Sequence, residues 1–378
     1  MIILDEGENM LDINQVLRSA IERDASDIHL ISGIKPTFRV ARELVPYEGC
    51  DVLTPEDMAD IYDYFIRGNV DKDKVFKETR KLDSSFEFEG LRLRINISLE
   101  DDIPVFTLRI IKNTLPTFEQ LGVPDIVRRM MYQPQGLVLV TGKTNSGKTT
   151  TLNALINDIN ENQNKKILTL ESPVEFKHKS KKSIVVQKEV GFGQDTLTYK
   201  DGVKNCLRED CDILVIGEIR DRETMDAAIE TAESGHLVIG TLHTKSCAET
   251  VDRMINFYDI QDQQSVKYLI ASLLKLVTSQ RLLRQKDGKL VLLPEVMVVD
   301  NVVAGIIRKE KLSVSEIEDA IQSSSANGSI GLINSIAQLF VDDKITLEQA
   351  KAQIEEKNIE TLNRTIMQLK IKKGNKMI

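Results

Sequence analysis

The sequence lacks tryptophan, and aromatic residues make up only 5% of its 378 positions. It also lacks an excess of positive charge, because 58 acidic residues outweigh 50 basic ones and give a net charge of −8. Proteins that bind nucleic acid commonly combine stacked aromatic rings with a positive groove, so we expect no nucleic-acid partner. One basic cluster is visible near the C-terminus, and a solvated tail is its simpler interpretation; it consists of Lys370, Lys372, Lys373 and Lys376.

Cysteine is scarce as well. The four cysteines, Cys50, Cys206, Cys211 and Cys247, form no C-x-x-C pair, so we expect free thiols and no zinc site. The N-terminus lacks the basic and apolar segments of a signal peptide, and no apolar run approaches the ~20 residues of a membrane span. These absences predict a cytoplasmic protein.

The first third of the chain mixes helical and strand patterns. Apolar residues between positions 11 and 23 share one helical face, and a second helix is expected after a cap at Thr54. A hairpin through residues 99–102 is expected to join two parts of a sheet. The strand-like stretches are residues 28–31, 37–40, 85–97 and 105–111. The pattern predicts a small α+β domain over residues 1–113, followed by a linker at 114–118.

The rest of the chain, residues 119–378, has the pattern of an α/β domain. Its continuous apolar runs alternate with helical patterns, as buried parallel strands do, and the sequence becomes mainly helical at about residues 302–378. The apolar runs are residues 137–140, 167–170, 213–216 and 237–239.

A phosphate-binding loop lies between the first of these runs and a helical pattern. The stretch from Gly142 to Thr149 matches G-x-x-x-x-G-K-[ST] in full, and its residues are Gly142, Lys143, Thr144, Asn145, Ser146, Gly147, Lys148 and Thr149. We count Thr150, the next residue, as part of the binding segment. In such a loop Lys148 reaches the β- and γ-phosphates and the Thr149 hydroxyl binds Mg²⁺. The loop therefore predicts ATP and Mg²⁺ as ligands.

Polar residues follow each of the other three apolar runs. Glu218 is the candidate to orient the attacking water, with a glycine before it where many P-loop proteins carry an aspartate that binds Mg²⁺. Glu171 and Glu175 form a second acidic cluster, and either Glu171 or Glu218 could bind the metal through water. His243, after the last run, could sense the γ-phosphate. The carboxyl ends of parallel strands meet at one sheet edge, which is where ligands bind in such folds.

Taken together, these residues resemble the secretion and type IV pilus ATPases, and specifically their PilT-type retraction members. The resemblance runs from about Ala25 to Leu292. Its motifs are Ala25–Leu30 (ASDIHL), a Walker A box at Lys148, an Asp box at Glu171 to Glu175, a Walker B box at Glu218, a His box at Gly235 to Thr244, and Ala271–Leu276 with Ser279–Leu282.

The resemblance implies a PAS-like N-terminal domain joined to a RecA-like ATPase domain, with six chains in a ring and ATP between the domains. It also implies that Arg92, Arg94 and Arg109 supply guanidinium groups to the phosphates. The implied activity is ATP hydrolysis that powers pilus retraction and twitching motility. The implied partner is a pilus platform protein of the inner membrane, which would hold the motor at the cytoplasmic face of that membrane without insertion.

The sequence also departs from the family pattern. Lys143 replaces a proline, Asn145 a glycine, and Ser172 an aspartate; asparagine tolerates the positive φ that the loop needs. Only part of the motif typical of retraction ATPases is kept at Val302–Lys309, which leaves an assembly or secretion ATPase of the same family as an alternative. Such ATPases usually carry an extra N-terminal domain and zinc-binding cysteines. A nucleic-acid translocase and a regulatory ring subunit without catalysis are more remote alternatives.

Overall fold

The structure is a computed structural model that describes residues 11–41, 43–66, 68–111 and 115–375. These residues form two compact units, and the first contains the residues up to 111 together with 172–177 and 189–197. The predicted boundary residues 112–114 and Lys376 lie outside the described residues. The predicted domain bounds, 1–113 and 119–378, therefore remain a proposal. The prediction did not anticipate that two short segments of the second half belong to the first unit.

The elements of the first unit, in chain order, are α1 (Ile13–Glu22), β1 (Asp27–Leu30), β2 (Thr37–Val40), β3 (Glu43–Pro46), α2 (Pro55–Ile66), α3 (Val70–Thr79), β4 (Leu82–Phe88), β5 (Leu91–Glu100) and β6 (Ile103–Ile111).

The elements that follow are α4 (Phe118–Leu121), α5 (Asp125–Met130), β7 (Gly136–Thr141), α6 (Lys148–Asn162), β8 (Lys166–Glu171), β9 (Ile184–Glu189), α7 (Tyr199–Cys206), β10 (Ile213–Ile216), α8 (Arg222–Glu233), β11 (Leu237–Leu242), α9 (Cys247–Ile255), α10 (Ile260–Leu273), β12 (Leu274–Arg284), β13 (Leu290–Val298), α11 (Asn301–Ile307), α12 (Val314–Ser323), α13 (Leu332–Val341), α14 (Leu347–Lys351) and α15 (Ile359–Asn375).

An antiparallel sheet in the order β3-β2-β1-β6-β5-β4 forms the first unit. The predicted hairpin joins β5 to β6, and Asp101 and Asp102 turn it with φ of 48° and 64°. The stretch predicted over residues 85–97 is two strands, because a turn at Glu89 and Gly90 with positive φ divides it. Helix α1 begins at an Asp12 cap and buries the predicted apolar face against this sheet's core.

The second unit contains a mainly parallel sheet in the order β13-β12-β7-β11-β10-β8-β9. The four predicted apolar runs are its neighbouring strands β7, β11, β10 and β8, paired in parallel. Every residue of β7, β10 and β11 is buried, which is why these strands carry continuous apolar runs. The parallel pairing brings their carboxyl ends to one edge.

Helices α11 to α15 lie in the region expected to be helical, and α13, α14 and α15 share a small core with β13. The predicted linker overlaps α4, which a capping box of Thr117 and Gln120 begins. The predicted α/β fold with a preceding α+β unit is confirmed. No helix among the described residues is long and apolar enough to cross a membrane.

Candidate nucleotide-binding site

The phosphate-binding loop connects β7 to α6 as predicted. Gly147 precedes the helix with φ of 86°, and Asn145 adopts φ of 62°, the left-handed conformation that the sequence predicted it would tolerate. At Gly142 a Cβ atom would lie 2.4 Å from Ser146 Oγ and 2.5 Å from the carbonyl oxygen of Gln280. The loop therefore has room only for glycine at that position.

Lys148 is buried in the loop itself. Its Nζ donates to the carbonyl oxygens of Gly142 at 2.8 Å and Lys143 at 3.1 Å. Burial lowers the pKa of Lys148, and the negative charge of Glu218 acts in the opposite direction. The Lys148 ammonium group is thus held at the N-terminal end of α6, where a phosphate binds in loops of this kind.

Gln280 supports the loop from β12, and sequence reasoning missed it. Its fully buried side chain donates from Nε2 to the Ser146 carbonyl at 3.0 Å and to Thr151 Oγ1 at 3.1 Å. The Ser146 hydroxyl is buried and has no partner among the described residues. An unpaired buried hydroxyl is costly, so it fits a loop that gains a hydrogen bond when an anion binds. The only sequence signal for Gln280 was its place in the motif Ser279–Leu282.

Glu218 lies just past the end of β10 and contacts the side chains of Arg220 and His243. Its Oε2 accepts from Arg220 Nη2 at 2.5 Å, and its Oε1 lies 3.2 Å from His243 Nε2. Burial acts to raise the pKa of Glu218, but Arg220, His243 and Lys148 outweigh it and hold the pKa below its ordinary value. The carboxylate is therefore ionised at neutral pH. Glu218 and His243, which the sequence analysis named separately, lie together here, whereas the sequence did not indicate Arg220.

A cavity of about 280 Å³ opens beside Glu218 and His243, and Glu249 and Arg253 also line it. Burial raises the pKa of Tyr199 to about 12, and the charge of Glu218 adds to the shift. The Tyr199 hydroxyl is therefore protonated and available as a donor near the end of β10.

Gly217 occupies the position where an aspartate is common in P-loop proteins. A Cβ atom there would lie 3.0 Å from the Leu170 carbonyl oxygen and 3.3 Å from Glu171 Cα. A side chain would thus press on β8. Close approach of the strands accounts for the glycine, and it leaves Mg²⁺ to other residues.

The two acids of the second cluster do not belong to one unit. Glu171 ends β8 in the second unit, where its Oε1 accepts from Thr169 Oγ1 at 2.7 Å and from Gln187 Nε2 at 3.1 Å. Glu175 belongs to the first unit. Burial raises its pKa, and the charges of Arg94 and Arg109 oppose the shift.

The three predicted arginines lie on the first unit's sheet. Arg92 and Arg94 point to the face opposite the buried Leu93. Arg94 lies directly opposite Arg109 in the register of β5 and β6. Arg109 donates from Nε to Asp27 Oδ1 at 3.0 Å. Arg92 forms a buried ion pair with Glu189, so its guanidinium is already engaged in this conformation.

His178, which the sequence did not single out, is hydrogen-bonded under α6. Its Nε2 lies 2.7 Å from Asn153 Oδ1, and Asn153 Nδ2 donates to the Thr149 carbonyl at 2.9 Å. Burial, with a smaller contribution from Lys181, lowers the pKa of His178 to about 4. A neutral imidazole therefore supports the first turn of the helix that carries Thr149.

A second cavity, of about 560 Å³, borders the outer side of the loop. Leu282 and Leu283 from β12 and Gln353 after α14 line it together with Lys143 and Asn145. It offers space next to the loop for the nucleoside part of a nucleotide. Within the described part of the chain, no group of three or more His, Cys, Asp or Glu side chains could hold a metal ion, and the four cysteines are free thiols.

Known proteins are similar to this chain in sequence and in fold over nearly its whole length. The family model of the type II/IV secretion system proteins matches residues 99–378. The type IV pilus retraction ATPase PilT of Pseudomonas aeruginosa is 36% identical over 92% of this chain and 99% of its own. A twitching motility protein of Neisseria gonorrhoeae is 38% identical over 74% of each chain.

A solved structure agrees with the sequence relatives. The crystal structure of the pilus retraction motor PilT with bound ADP matches with a TM-score of 0.85 at 34% identity, covering 93% of this chain and 99% of the other. Similarity of this extent confirms the resemblance inferred from the motifs. The chain therefore belongs to the type II/IV secretion system protein family and is of its PilT type.

Proposed function

We propose that this protein is the ATPase motor that powers type IV pilus retraction. The observation that carries the proposal is that Lys148 of the phosphate-binding loop and Glu218 lie near each other at one edge of the sheet. Arg220 and His243 hold the Glu218 carboxylate there. Relatives named as a pilus retraction ATPase and a twitching motility protein support the direction of the motor.

Each site residue has a proposed role in hydrolysis. Backbone N–H groups of residues 142–150 and the start of α6 hold the phosphates, and Lys148 neutralises the charge that develops on them. The ionised Glu218 orients and activates the attacking water, which general-base action requires. His243 senses the γ-phosphate from its position beside Glu218.

Magnesium is proposed to bind at the start of α6. The Thr149 hydroxyl would be the protein ligand, and Glu171 or Glu218 would hold the ion through water. Mg²⁺ bound there would supply positive charge that neutralises the phosphates. The residues present fit this ion because hydroxyl and carboxylate oxygens are its preferred ligands. Glu175, with Arg94 and Arg109, is proposed to act from the first unit, where the two guanidinium groups would contact the phosphates.

The assembly that we propose is a ring of six chains bound to a platform protein of the pilus machinery, at the cytoplasmic face of the inner membrane. Its mass in solution tests the ring directly. A mass of six chains with ATP present supports it, and a monomer under all nucleotide conditions contradicts it.

The enzymatic part is tested with Glu218→Gln. We expect this variant to bind ATP but to hydrolyse it at least ~100-fold more slowly, because the carboxylate that activates water is gone. Glu233→Gln, which changes an exposed carboxylate of α8, is the matched control. Near-normal turnover of Glu218→Gln would remove that residue from the proposed role.

The mechanical part is tested in cells that carry only Lys148→Ala, with labelled pili imaged beside the wild type. Pili that extend but do not withdraw support retraction. Cells without pili would make the protein the assembly ATPase of the same family, and unchanged pili would point to another secretion system.

A further inference from the structure

We propose that Glu189 is a positioning residue for ATP hydrolysis, which holds the chain around Glu171 in place through a buried ion pair with Arg92. The inference rests on the proposed ATPase function. It assigns Arg92 a different task from Arg94 and Arg109, namely to bind a segment of this chain rather than a phosphate.

The ion pair lies inside the first unit and is well enclosed. The side chains of Arg92 and Glu189 are 12% and 9% exposed, and Glu189 Oε1 accepts from Arg92 Nη2 and from Ser85 Oγ, the latter at 2.5 Å. Arg92 Nε is buried without a partner in the described part of the chain. Loss of Glu189 would therefore leave the whole guanidinium group buried without a counter-charge, which is among the costlier defects in a protein.

The same carboxylate also binds the segment that follows Glu171. The backbone N–H of Val174 donates to Glu189 Oε1 at 3.1 Å. Val174 belongs to residues 172–177, which pack in the first unit and begin one residue after Glu171. One carboxylate thus joins β5, through Arg92, to the chain that leaves the end of β8.

Glu189 influences Glu171 by a second route. It is the last residue of β9, and Gln187, two positions earlier, donates to Glu171 Oε1 at 3.1 Å. The ion pair therefore fixes the end of the strand that carries a hydrogen-bond donor to Glu171. Displacement of either segment would move that carboxylate, and errors near 1 Å at a reactive centre cost up to ~100-fold in rate.

The residues after Glu189 are anchored independently of the ion pair. Residues 189–197 form a compact loop, in which Glu189 N donates to Asp195 Oδ2 at 2.8 Å. Gly193 lies so close to α3 that a Cβ atom would be 2.9 Å from Asp71 Cβ, and Lys74 Nζ lies over the Phe192 ring at 6.0 Å. The loop is therefore held at its tip by α3, and the ion pair with Arg92 holds its base at Glu189.

The sheet itself offers Arg92 another carboxylate. Glu87 lies directly opposite Arg92 in the β4–β5 register and is exposed. Arg92 nevertheless pairs with Glu189, which is 97 residues away in sequence. Proximity on the strand therefore does not decide the pairing, and Glu87 provides a matched control for the loss of one negative charge near Arg92.

The experiment compares Arg92→Gln, Glu189→Gln, the double variant and Glu87→Gln in the full chain, by kcat, KM for ATP, ADP affinity and Tm. We expect both single variants to lower Tm by about 5–10 °C and kcat by ~10- to 100-fold, with ADP affinity unchanged because residues 142–150 are intact. The double variant should lose no more Tm or kcat than the more damaged of the two single variants, because the two residues act as one coupled pair. Glu87→Gln should match the wild type.

Assays run well below the lowest Tm separate a positioning role from a loss of folded protein. Glu189→Asp keeps the negative charge and should therefore have a higher kcat than Glu189→Gln. The proposal is overturned if Glu189→Gln keeps wild-type kcat while Arg92→Gln loses activity, since Arg92 would then act on the phosphates directly. Additive losses in the double variant would also overturn it. Absence of ATPase activity in the wild type would instead refute the proposed function.

Discussion

Acid should destabilise the second unit through His178, and the effect can be worked out from one buried imidazole. Burial, aided by Lys181, lowers the pKa of His178 from 6.5 to about 4. The difference between these two pKa values lowers the free energy of unfolding by about 3 kcal/mol by pH 4, where the folded protein is itself half protonated at His178. In the unfolded chain this histidine titrates near its ordinary value.

The sign follows from proton binding. Between pH 6.5 and about 4 the unfolded chain binds a proton at His178 that the folded chain does not. The stabilisation is therefore complete above pH 6.5 and is lost progressively as the pH falls towards 4. The hydrogen bond to Asn153 can persist, because protonated imidazole still donates from Nε2, so the cost is that of burying a charge.

The assay is urea unfolding at a series of pH values for the wild type and for His178→Gln, which can still donate to Asn153 but does not titrate. We expect the difference in free energy of unfolding between the two to change by about 3 kcal/mol from pH 6.5 to pH 4, since other titrating groups contribute equally to both. Hydrogen exchange in α6 should show the same dependence. Parallel curves for the two proteins would show that His178 does not titrate as a buried group.

Three further changes near the loop have defined outcomes. Arg220→Gln removes the strongest partner that lowers the pKa of Glu218, so the acid limb of the pH profile of kcat should move to higher pH; an unmoved limb would mean that another group sets it. Gln280→Ala leaves the Ser146 carbonyl unpaired and should raise the KM for ATP by ~5- to 10-fold, about 1–1.5 kcal/mol, as measured by steady-state kinetics. Gly142→Ala places a methyl group 2.4 Å from Ser146 Oγ and should abolish measurable ADP binding by calorimetry, and normal affinity would show that the loop can rearrange.

The sequence predicted the parts of the fold whose signals are local. The strands β7, β8, β10 and β11 are buried on both faces, so each carries a continuous apolar run. The shortness of these runs and their alternation with helical patterns distinguish them from buried helices. The loop at Gly142–Thr149 follows from a spacing that phosphate binding requires. Because parallel strands end at one edge, Glu218 and His243 could also be expected to meet.

Elements with little burial gave no comparable signal. All four residues of β3 are exposed, and α3 buries only Phe76, so neither shows a periodic apolar pattern. The division of residues 85–97 depends on a tight turn at Glu89 and Gly90, and a single glycine inside a strand-like stretch does not by itself distinguish a turn from a bulge. Propensity alone could not place these elements.

Partners within the site were the other limit of the sequence. Arg220 is two residues from Glu218, but a charge that follows a strand usually faces solvent, and nothing local shows that it folds back on the carboxylate. Gln280 stands in a polar stretch of β12 with Thr278, Ser279 and Arg281, and such a stretch indicates exposed positions rather than a buried side chain. Its role appears only when β12 is placed beside β7, which is a pairing of segments about 140 residues apart.

Spacing misled the prediction at Glu171 and Glu175, which are four residues apart and looked like one acidic cluster. Periodicity supports a shared site only while both residues stay in one element. Here β8 ends at Glu171 and the chain leaves with Ser172 to pack in the other unit, so each acid gains its own surroundings. Glu171 is held by Thr169 and Gln187, whereas Glu175 faces Arg94 and Arg109. The surroundings of each acid are therefore set by the contacts of its own unit, which a spacing of four residues does not reveal.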